Sequence, residues 1–204
     1  MKQLIILIIS LGTLTQVHPQ TQDFKTNITT AKTSYAAGKL EDAHFALQQV
    51  LQEIDITIGN EVIKLLPPKL DTLNANIKDD RVTGNVGFVG PSIHRSYGNS
   101  STGKDAELEI VNNSPLLGTL NAFLTSPLLG AMGGGDPNSK VVKVQGYKSR
   151  LTKENTDDKG KTSYRIEIPF SNALITLHSN DSNDADIQKL ANTLPLAQIA
   201  KLIQ

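Results

Sequence analysis

The sequence predicts an α+β fold, in which an N-terminal helical hairpin precedes a mainly antiparallel sheet of about five strands with helices packed on one face. Three observations support this prediction. Apolar residues recur at helical spacing between residues 23 and 58, alternate with polar residues in several later segments, and return to helical spacing near residue 204. Helices segregated to one face of an antiparallel sheet define the α+β class.

The composition excludes several classes of protein. Apolar residues make up 38% of the 204 residues, which is too many for a disordered chain and too few for an integral membrane protein. The 20 basic and 20 acidic side chains leave no net charge to attract nucleic acid, so we expect no nucleic-acid partner. The absence of cysteine excludes disulfides, thiolate metal sites and cysteine nucleophiles.

Residues 1–19 have the pattern of a signal peptide. Lys2 precedes an apolar run at residues 4–14, and this run is shorter than the roughly 20 residues needed to cross a bilayer. We therefore expect an exported protein, periplasmic or secreted, with no integral membrane span after processing. The alternative interpretation is a buried N-terminal strand.

Residues 20–66 are expected to form the helical hairpin. Two apolar stripes at helical spacing indicate two helices. They consist of Phe24, Ile28, Ala31 and Tyr35 in the first helix, and of Leu40, Ala43, Leu47, Val50, Leu51, Ile54 and Ile58 in the second. Gly38 lies between them, where a helix C-cap favours a residue that can adopt positive φ. Because a lone hairpin cannot bury its own apolar face, it must pack on the rest of the chain or on a partner.

Residues 67–91 are predicted to be a linker. Pro67 and Pro68 end the preceding helix, and the segment then contains three glycines and a short charged run. The α+β domain is therefore expected to occupy residues 92–204.

Alternating apolar and polar residues predict the strands of this domain. They are residues 92–97, 106–111, 140–151 with Gly146 as a bulge, 162–170 and 172–179. Turn-rich loops at residues 98–105 and 155–160 favour antiparallel pairing. Two short helices end the chain, the first capped by Ser182 or Asn183 and the second beginning at Pro195.

The most apolar stretch outside the signal pattern is residues 112–136. It predicts a short helix, which either packs on the sheet or presents a surface to a partner, an apolar ligand or a membrane. Together with the hairpin, this stretch supplies the candidate contact residues, which are Tyr35, Leu116, Leu117, Leu120, Phe123, Leu128, Leu129 and Met132.

Catalytic and metal-binding motifs are incomplete. Residues 98–105 match the spacing of a phosphate-binding loop, but Asp105 replaces the required Ser or Thr and a strand follows instead of a helix. Residues 155–160 resemble the start of a calcium loop whose closing glutamate is replaced by Ile166. No HExxH or GxSxG motif is present. We therefore expect no cofactor, no metal and no catalytic residue, although a serine, a histidine and an acid dispersed in sequence could still form a hydrolase site.

Two parts of the sequence resemble known groups of proteins. The strings NNSPLLGTL, VQGYKSRL, NALITL and LPLAQIAKLI resemble those of a poorly characterised group of exported bacterial proteins, over roughly residues 83–204. The string SYAAGKLEDAHFALQQVL resembles half of a tetratricopeptide repeat through Tyr35, Gly38 and Ala43. The first resemblance implies export but no particular activity. We therefore expect an exported, non-enzymatic envelope protein that binds a protein partner or an apolar ligand, with a periplasmic hydrolase as the alternative.

Overall fold

The structure is a computed structural model that describes residues 19–85, 90–99, 104–126, 136–156, 158 and 160–203. The chain forms two compact units, residues 1–50 and 51–204. It contains a helix pair followed by an antiparallel sheet with helices, so the predicted α+β class is confirmed. The predicted signal peptide falls outside the described residues except for Pro19, which begins the first helix.

The first unit contains α1 (Pro19–Ala36) and the first part of α2 (Leu40–Leu65). The predicted turn at Gly38 is confirmed. Gly38 adopts a φ of +74°, the Lys39 N–H donates to the Ser34 carbonyl at 2.9 Å, and the Gly38 N–H donates to the Tyr35 carbonyl at 3.1 Å. This pair of hydrogen bonds is a Schellman motif, which satisfies carbonyls that the end of a helix leaves free.

The second unit is built around a seven-stranded sheet in the order β3-β4-β5-β9-β8-β7-β6, in which all neighbours are antiparallel. Its strands are β3 (Arg81–Thr83), β4 (Ser92–Asn99), β5 (Lys104–Asn112), β6 (Ser139–Val144), β7 (Tyr147–Thr156), β8 (Thr162–Pro169) and β9 (Ala173–Ser179). A separate two-stranded sheet pairs β1 (Lys69–Leu70) with β2 (Leu73–Asn74). The remaining helices are α3 (Leu117–Thr125), α4 (Asp184–Asn192) and α5 (Leu196–Ile203).

The two faces of the seven-stranded sheet differ. Its core face carries buried residues such as Leu108, Ile166 and Ile175, which pack with apolar residues of α4, α5 and the end of α2. On the opposite side, which we call the outer face, α3 lies against β7 and β8 and reaches Leu174 of β9. A small second cluster joins α3 to that region, and it consists of Leu120, Phe123, Leu124 and Leu174. Because successive side chains of a strand point to opposite faces, His94 and Ser96 of β4 and Glu107 and Glu109 of β5 lie on the outer face.

The prediction of a linker at residues 67–91 is wrong. This segment contains β1, β2, a 3₁₀ turn at Ile77–Asp79 and the edge strand β3, and it buries Leu70 completely in the core. Very short strands lack the alternation that a sequence pattern can reveal, because a strand of two or three residues has no more than two side chains on any one face. The predicted hairpin of residues 20–66 corresponds to α1 and α2, and the part of α2 after residue 50 belongs to the second compact unit.

The prediction of one strand at residues 140–151 is also wrong. These residues form the hairpin β6–β7, so Gly146 lies in its turn and not in a bulge. Gln145 and Gly146 both have positive φ, 49° and 90°, as a two-residue type I′ turn requires. With β3, this hairpin raises the number of strands in the sheet to seven.

The predicted cap of α4 is confirmed at Asn183. Its side-chain oxygen accepts a hydrogen bond from the Asp186 N–H at 2.9 Å. The last helix begins at Leu196, one residue after the predicted start at Pro195, whose carbonyl accepts from the Ile199 N–H at 3.0 Å. The loop after β4 leads directly into β5, so the helix that a phosphate-binding loop requires does not follow it.

Candidate functional site

The structure places the predicted contact residues in different environments. The side chains of Tyr35 and Leu116 are exposed, and that of Leu117 is partly buried. Leu120 and Phe123 are buried. The other three candidates, Leu128, Leu129 and Met132, lie outside the described residues.

The helix α3 is tied to the sheet by a stacked ion pair. The Phe123 ring lies under the Arg150 guanidinium, whose carbon is 5.6 Å from the ring centroid. Arg150 donates two hydrogen bonds, of 2.6 and 2.8 Å, to the buried carboxylate of Glu167. The apolar side of α3 therefore packs on the sheet, and its buried side chains do not form a surface for a partner.

The first unit exposes large apolar side chains while it buries small ones. Five of the ten large apolar residues that are exposed in the described part of the chain belong to this unit, and we call them the hairpin surface: Ile28, Tyr35, Leu40, Phe45 and Leu47. The buried apolar residues of the same unit are Ala31, Ala43, Ala46 and Val50. This is the reverse of the usual distribution, in which the largest apolar side chains are the ones removed from water.

A second candidate site is a cleft of about 450 Å³ on the outer face of the sheet. We call it the polar cleft, and it is lined by Asn76, Lys78, Asp79, Arg81, His94, Ser96, Tyr97, Asp105 and Glu107. Strand register sets its layout, because Arg81 is opposite His94, and Ser96 is opposite Glu107. Three neighbouring strands thus bring side chains that are far apart in sequence to one place.

Asn76 fixes the 3₁₀ turn that forms one wall of the polar cleft. Its backbone N–H donates to the Ser96 carbonyl at 2.9 Å. Its side-chain amide donates to the Ser96 hydroxyl at 3.1 Å and to the Gly98 carbonyl at 3.2 Å. These bonds attach the turn to β4, so this wall has a defined position.

Several charged side chains in the polar cleft have no ionic partner. No ion pair within the described ranges includes Lys78, Arg81 or Glu107. Asp105 differs, since its carboxylate accepts a hydrogen bond from the Asn180 amide at 2.7 Å. Elsewhere on the outer face, Arg150 and Glu167 pair fully. The polar cleft therefore combines unpaired charges of both signs.

An ion-paired cluster lies farther along the outer face. Glu154 accepts from Arg165 and from the His178 Nε2, the latter at 2.8 Å. Glu107 is next to His178 in strand register. In the part of the chain that the structure describes, no hydrogen bond joins a histidine to a serine, so the pair that a serine hydrolase needs is not assembled there.

A buried ion pair lies on the core side of β4, behind the polar cleft. Arg95 donates to the two carboxylate oxygens of Asp80 at 2.8 and 2.5 Å, and to the Leu66 carbonyl at 3.0 Å. The hydrogen bond to Asp80 raises the pKa of Arg95 above its usual range. Sequence reasoning missed Asp80, because its charge appeared to belong to a polar linker. The only signal was an arginine at an inward position of a predicted strand.

Tyr97 follows on the same strand and is fully buried. No hydrogen bond of ordinary geometry reaches its hydroxyl from the described residues, although the Arg95 guanidinium is near enough to interact with it. Burial raises the pKa of Tyr97 to about 12, against the opposing effect of the nearby Arg95 charge. The buried position therefore holds this phenol in its neutral form at neutral pH.

Two further properties bear on function. No helix within the described ranges is long and apolar enough to cross a membrane. Within the same ranges, no group of three or more histidine, aspartate or glutamate side chains is placed to hold a metal ion. Compared with known proteins, the chain matches no family model, no curated protein and no solved structure.

Proposed function

We propose that this chain is an exported, non-enzymatic protein of the bacterial cell envelope that binds a helical protein partner through the hairpin surface. The observation that carries the proposal is the distribution of apolar residues in the first unit, where large side chains are exposed and small ones are buried. Exposed apolar side chains that lie together are typical of an interaction site, and Leu40 and Leu47 lie on one side of α2. Burying one large apolar side chain contributes about 1.5–3 kcal/mol, so a few of them suffice for specific binding.

The spacing of the exposed residues favours a helix as the binding element. Leu40 and Leu47 are seven residues apart on α2, so they lie two turns apart on one side of the helix. Side chains at this interval form the seam along which a second helix packs. The Tyr35 side chain is 72% exposed at the end of α1, and it offers an aromatic group of the kind enriched in binding hot spots.

The resemblance to half of a tetratricopeptide repeat supports the same kind of partner. Units of such repeats bury their apolar faces against neighbouring helices, and one unit alone leaves its face exposed. The sequence contains one such hairpin. Helices of a partner protein would take the place of the missing neighbours.

Export is proposed mainly on the N-terminal pattern. Lys2 followed by the apolar run at residues 4–14 is typical of a signal peptide. The resemblance of residues 83–204 to exported bacterial proteins supports the same compartment. Cleavage is tested by expressing the full chain in a bacterium and determining the N-terminus of the product by mass spectrometry.

The binding proposal is tested with the full chain carrying a photo-crosslinking residue at Leu47. A captured protein is identified, purified and titrated against the wild-type chain and against Leu40→Ser/Leu47→Ser. We expect the double variant to weaken binding at least about tenfold while it keeps its thermal stability, because both side chains are exposed. Leu116→Ser is the matched control, since Leu116 is similarly exposed but lies beside α3.

Three results would contradict this proposal. The first is equal affinity of the double variant and the wild-type chain for the purified partner. The second is crosslinking only to another copy of the chain, which would make the hairpin surface a self-association site. The third is protection from hydrogen exchange in a partner segment that is not helical.

A further inference from the structure

We infer that the polar cleft binds a short, unmodified peptide, about two residues long, through both of its charged ends. The peptide carboxylate lies between Lys78 and Arg81, and its ammonium group lies at Glu107. This inference concerns a surface of the second unit, and it does not depend on the hairpin surface.

The size of the polar cleft fits such a ligand. Its volume of about 450 Å³ is within the range of small-molecule sites. It opens on the side of the sheet that α3 leaves uncovered near β3, β4 and β5. A cleft of this volume encloses a small molecule and not a folded domain.

The chemistry of the lining excludes an apolar ligand. Of the nine lining residues, only Tyr97 has an apolar ring, and its side chain is fully buried. The others offer charges, amides, a hydroxyl and an imidazole. Apolar ligands bind in pockets lined mainly by hydrophobic side chains. The polar cleft therefore selects a ligand that forms hydrogen bonds and ion pairs along its length.

The separation of the charges points to a ligand with two charged ends. Arg81 and Glu107 lie on β3 and β5, with β4 between them. Two strand spacings and an offset of two residues place their Cα atoms about 12 Å apart. At this separation the two side chains form an ion pair only when both are fully extended toward each other. Unpaired charges of opposite sign at this distance are complementary to an ammonium and a carboxylate held apart by a short backbone.

The space between the two charges is also polar. His94 and Ser96 lie on β4, between Arg81 on one side and Glu107 on the other. Both are on the outer face and only partly buried. An imidazole and a hydroxyl can each donate and accept hydrogen bonds, which suits the N–H and C=O groups of a peptide bond.

The two ends of the polar cleft carry different net charge. The wall formed by the 3₁₀ turn and β3 has the two cations Lys78 and Arg81 against the single carboxylate of Asp79. The wall formed by β5 has Asp105 and Glu107 and no cation in the lining. A peptide therefore has one favoured direction, with its carboxylate toward β3.

The test uses alanyl-alanine, its N-acetyl derivative and its C-terminal amide as probes. Each is titrated into the full chain and followed by NMR chemical shifts of the cleft residues. We expect alanyl-alanine to shift these resonances, and we expect loss of either charge to weaken binding about tenfold or more. Glu107→Gln should reduce the affinity for the free dipeptide but leave that for the N-acetyl form unchanged. Arg81→Gln should reduce the affinity for the free dipeptide but leave that for the C-terminal amide unchanged.

Lys143→Gln is the matched control, because this exposed lysine lies on β6 at the opposite edge of the sheet. It should bind all three probes as the wild-type chain does. Arg81 and Glu107 are exposed, so their variants are expected to fold, which the NMR spectrum reports directly. The inference is overturned if millimolar alanyl-alanine shifts no cleft resonance. It is also overturned if all three probes bind with equal affinity. The same holds if inorganic phosphate displaces the dipeptide equally well from the wild-type chain and from Glu107→Gln.

Discussion

Arg95 and Asp80 form a buried, two-armed ion pair that connects three elements of the second unit. The guanidinium of Arg95, on β4, binds both oxygens of Asp80, which follows the 3₁₀ turn, and it also binds the Leu66 carbonyl just after the end of α2. The side chains are only 6% and 13% exposed. Planar guanidinium and carboxylate groups suit such a fork, in which two parallel hydrogen bonds fix the relative orientation of both groups.

We predict that Asp80→Asn destabilises the protein by about 3 kcal/mol, because it leaves the Arg95 charge buried without its counter-ion. Replacing both residues, as Asp80→Leu/Arg95→Met, should cost clearly less than the single change, since no charge then remains in the core. Urea unfolding monitored by circular dichroism measures both values. A single variant as stable as the wild-type chain would show that the pair does not hold these elements together.

Tyr97→Phe is predicted to raise the free energy of unfolding at pH 7 by about 1 kcal/mol. The hydroxyl of Tyr97 is buried and makes no hydrogen bond of ordinary geometry with the described residues. Its removal therefore relieves a desolvation cost that the nearby Arg95 offsets only in part. Thermal or urea unfolding of the two proteins at pH 7 provides the comparison. A loss of more than about 1 kcal/mol would mean that the hydroxyl has a stabilising partner.

The burial of Tyr97 also predicts that the free energy of unfolding depends on pH in the alkaline range. An unfolded tyrosine ionises near pH 10, whereas burial raises the pKa of folded Tyr97 to about 12. Its contribution to stability is fully present below pH 10 and is lost as the pH rises toward 12. The stability of the wild-type chain should therefore fall more steeply over this interval than that of Tyr97→Phe. Parallel stability curves for the two proteins would contradict the assigned pKa.

The sequence predicts the regular parts of this fold because their patterns are local. Ile166 and Ile168 alternate with polar neighbours on one strand, and the Schellman turn at Gly38 depends on adjacent residues only. By contrast, the polar cleft brings together Arg81, His94 and Glu107 from three strands. Their proximity depends on the register of β3, β4 and β5. The sequence does not reveal this register, because β3 is too short to show an alternating pattern.

Replacing glycine by alanine is predicted to have opposite effects on stability at two helix positions. Gly59 lies in α2, and a Cβ atom there would come within 2.4 Å of Val82 on β3. Gly118 lies in α3, and a Cβ atom there would meet nothing within 4 Å. Alanine is favoured over glycine in a helix by up to about 1 kcal/mol, so Gly118→Ala should stabilise the protein.

Gly59→Ala should instead destabilise the protein by about 1–3 kcal/mol, because the helix or the edge strand must move to accommodate the methyl group. Chemical denaturation of both variants under identical conditions makes the comparison direct. If Gly59→Ala is as stabilising as Gly118→Ala, then α2 does not approach β3 as closely as described.

Gln145 is predicted to matter more for the end of α4 than for its own turn. Its side-chain amide donates to the carbonyls of Asn192 and Leu194 at 3.0 and 2.6 Å, and its N–H donates to the Asn192 side chain at 3.1 Å. Asn-Gly is the preferred sequence for a type I′ turn, so Gln145→Asn should favour the turn while its shorter side chain loses the bonds to the helix. We expect the hydrogen bonds to dominate and the variant to lose about 1 kcal/mol.

A double-mutant cycle separates the two contributions. Gln145→Asn, Asn192→Ala and the double variant are compared by urea unfolding, and the non-additive part measures the coupling of the turn to α4. A coupling energy of about 0.5 kcal/mol or more is expected, because both residues share one hydrogen-bonded network. If Gln145→Asn is more stable than the wild-type chain, turn preference dominates, and the contact between the β6–β7 turn and the end of α4 contributes little to the fold.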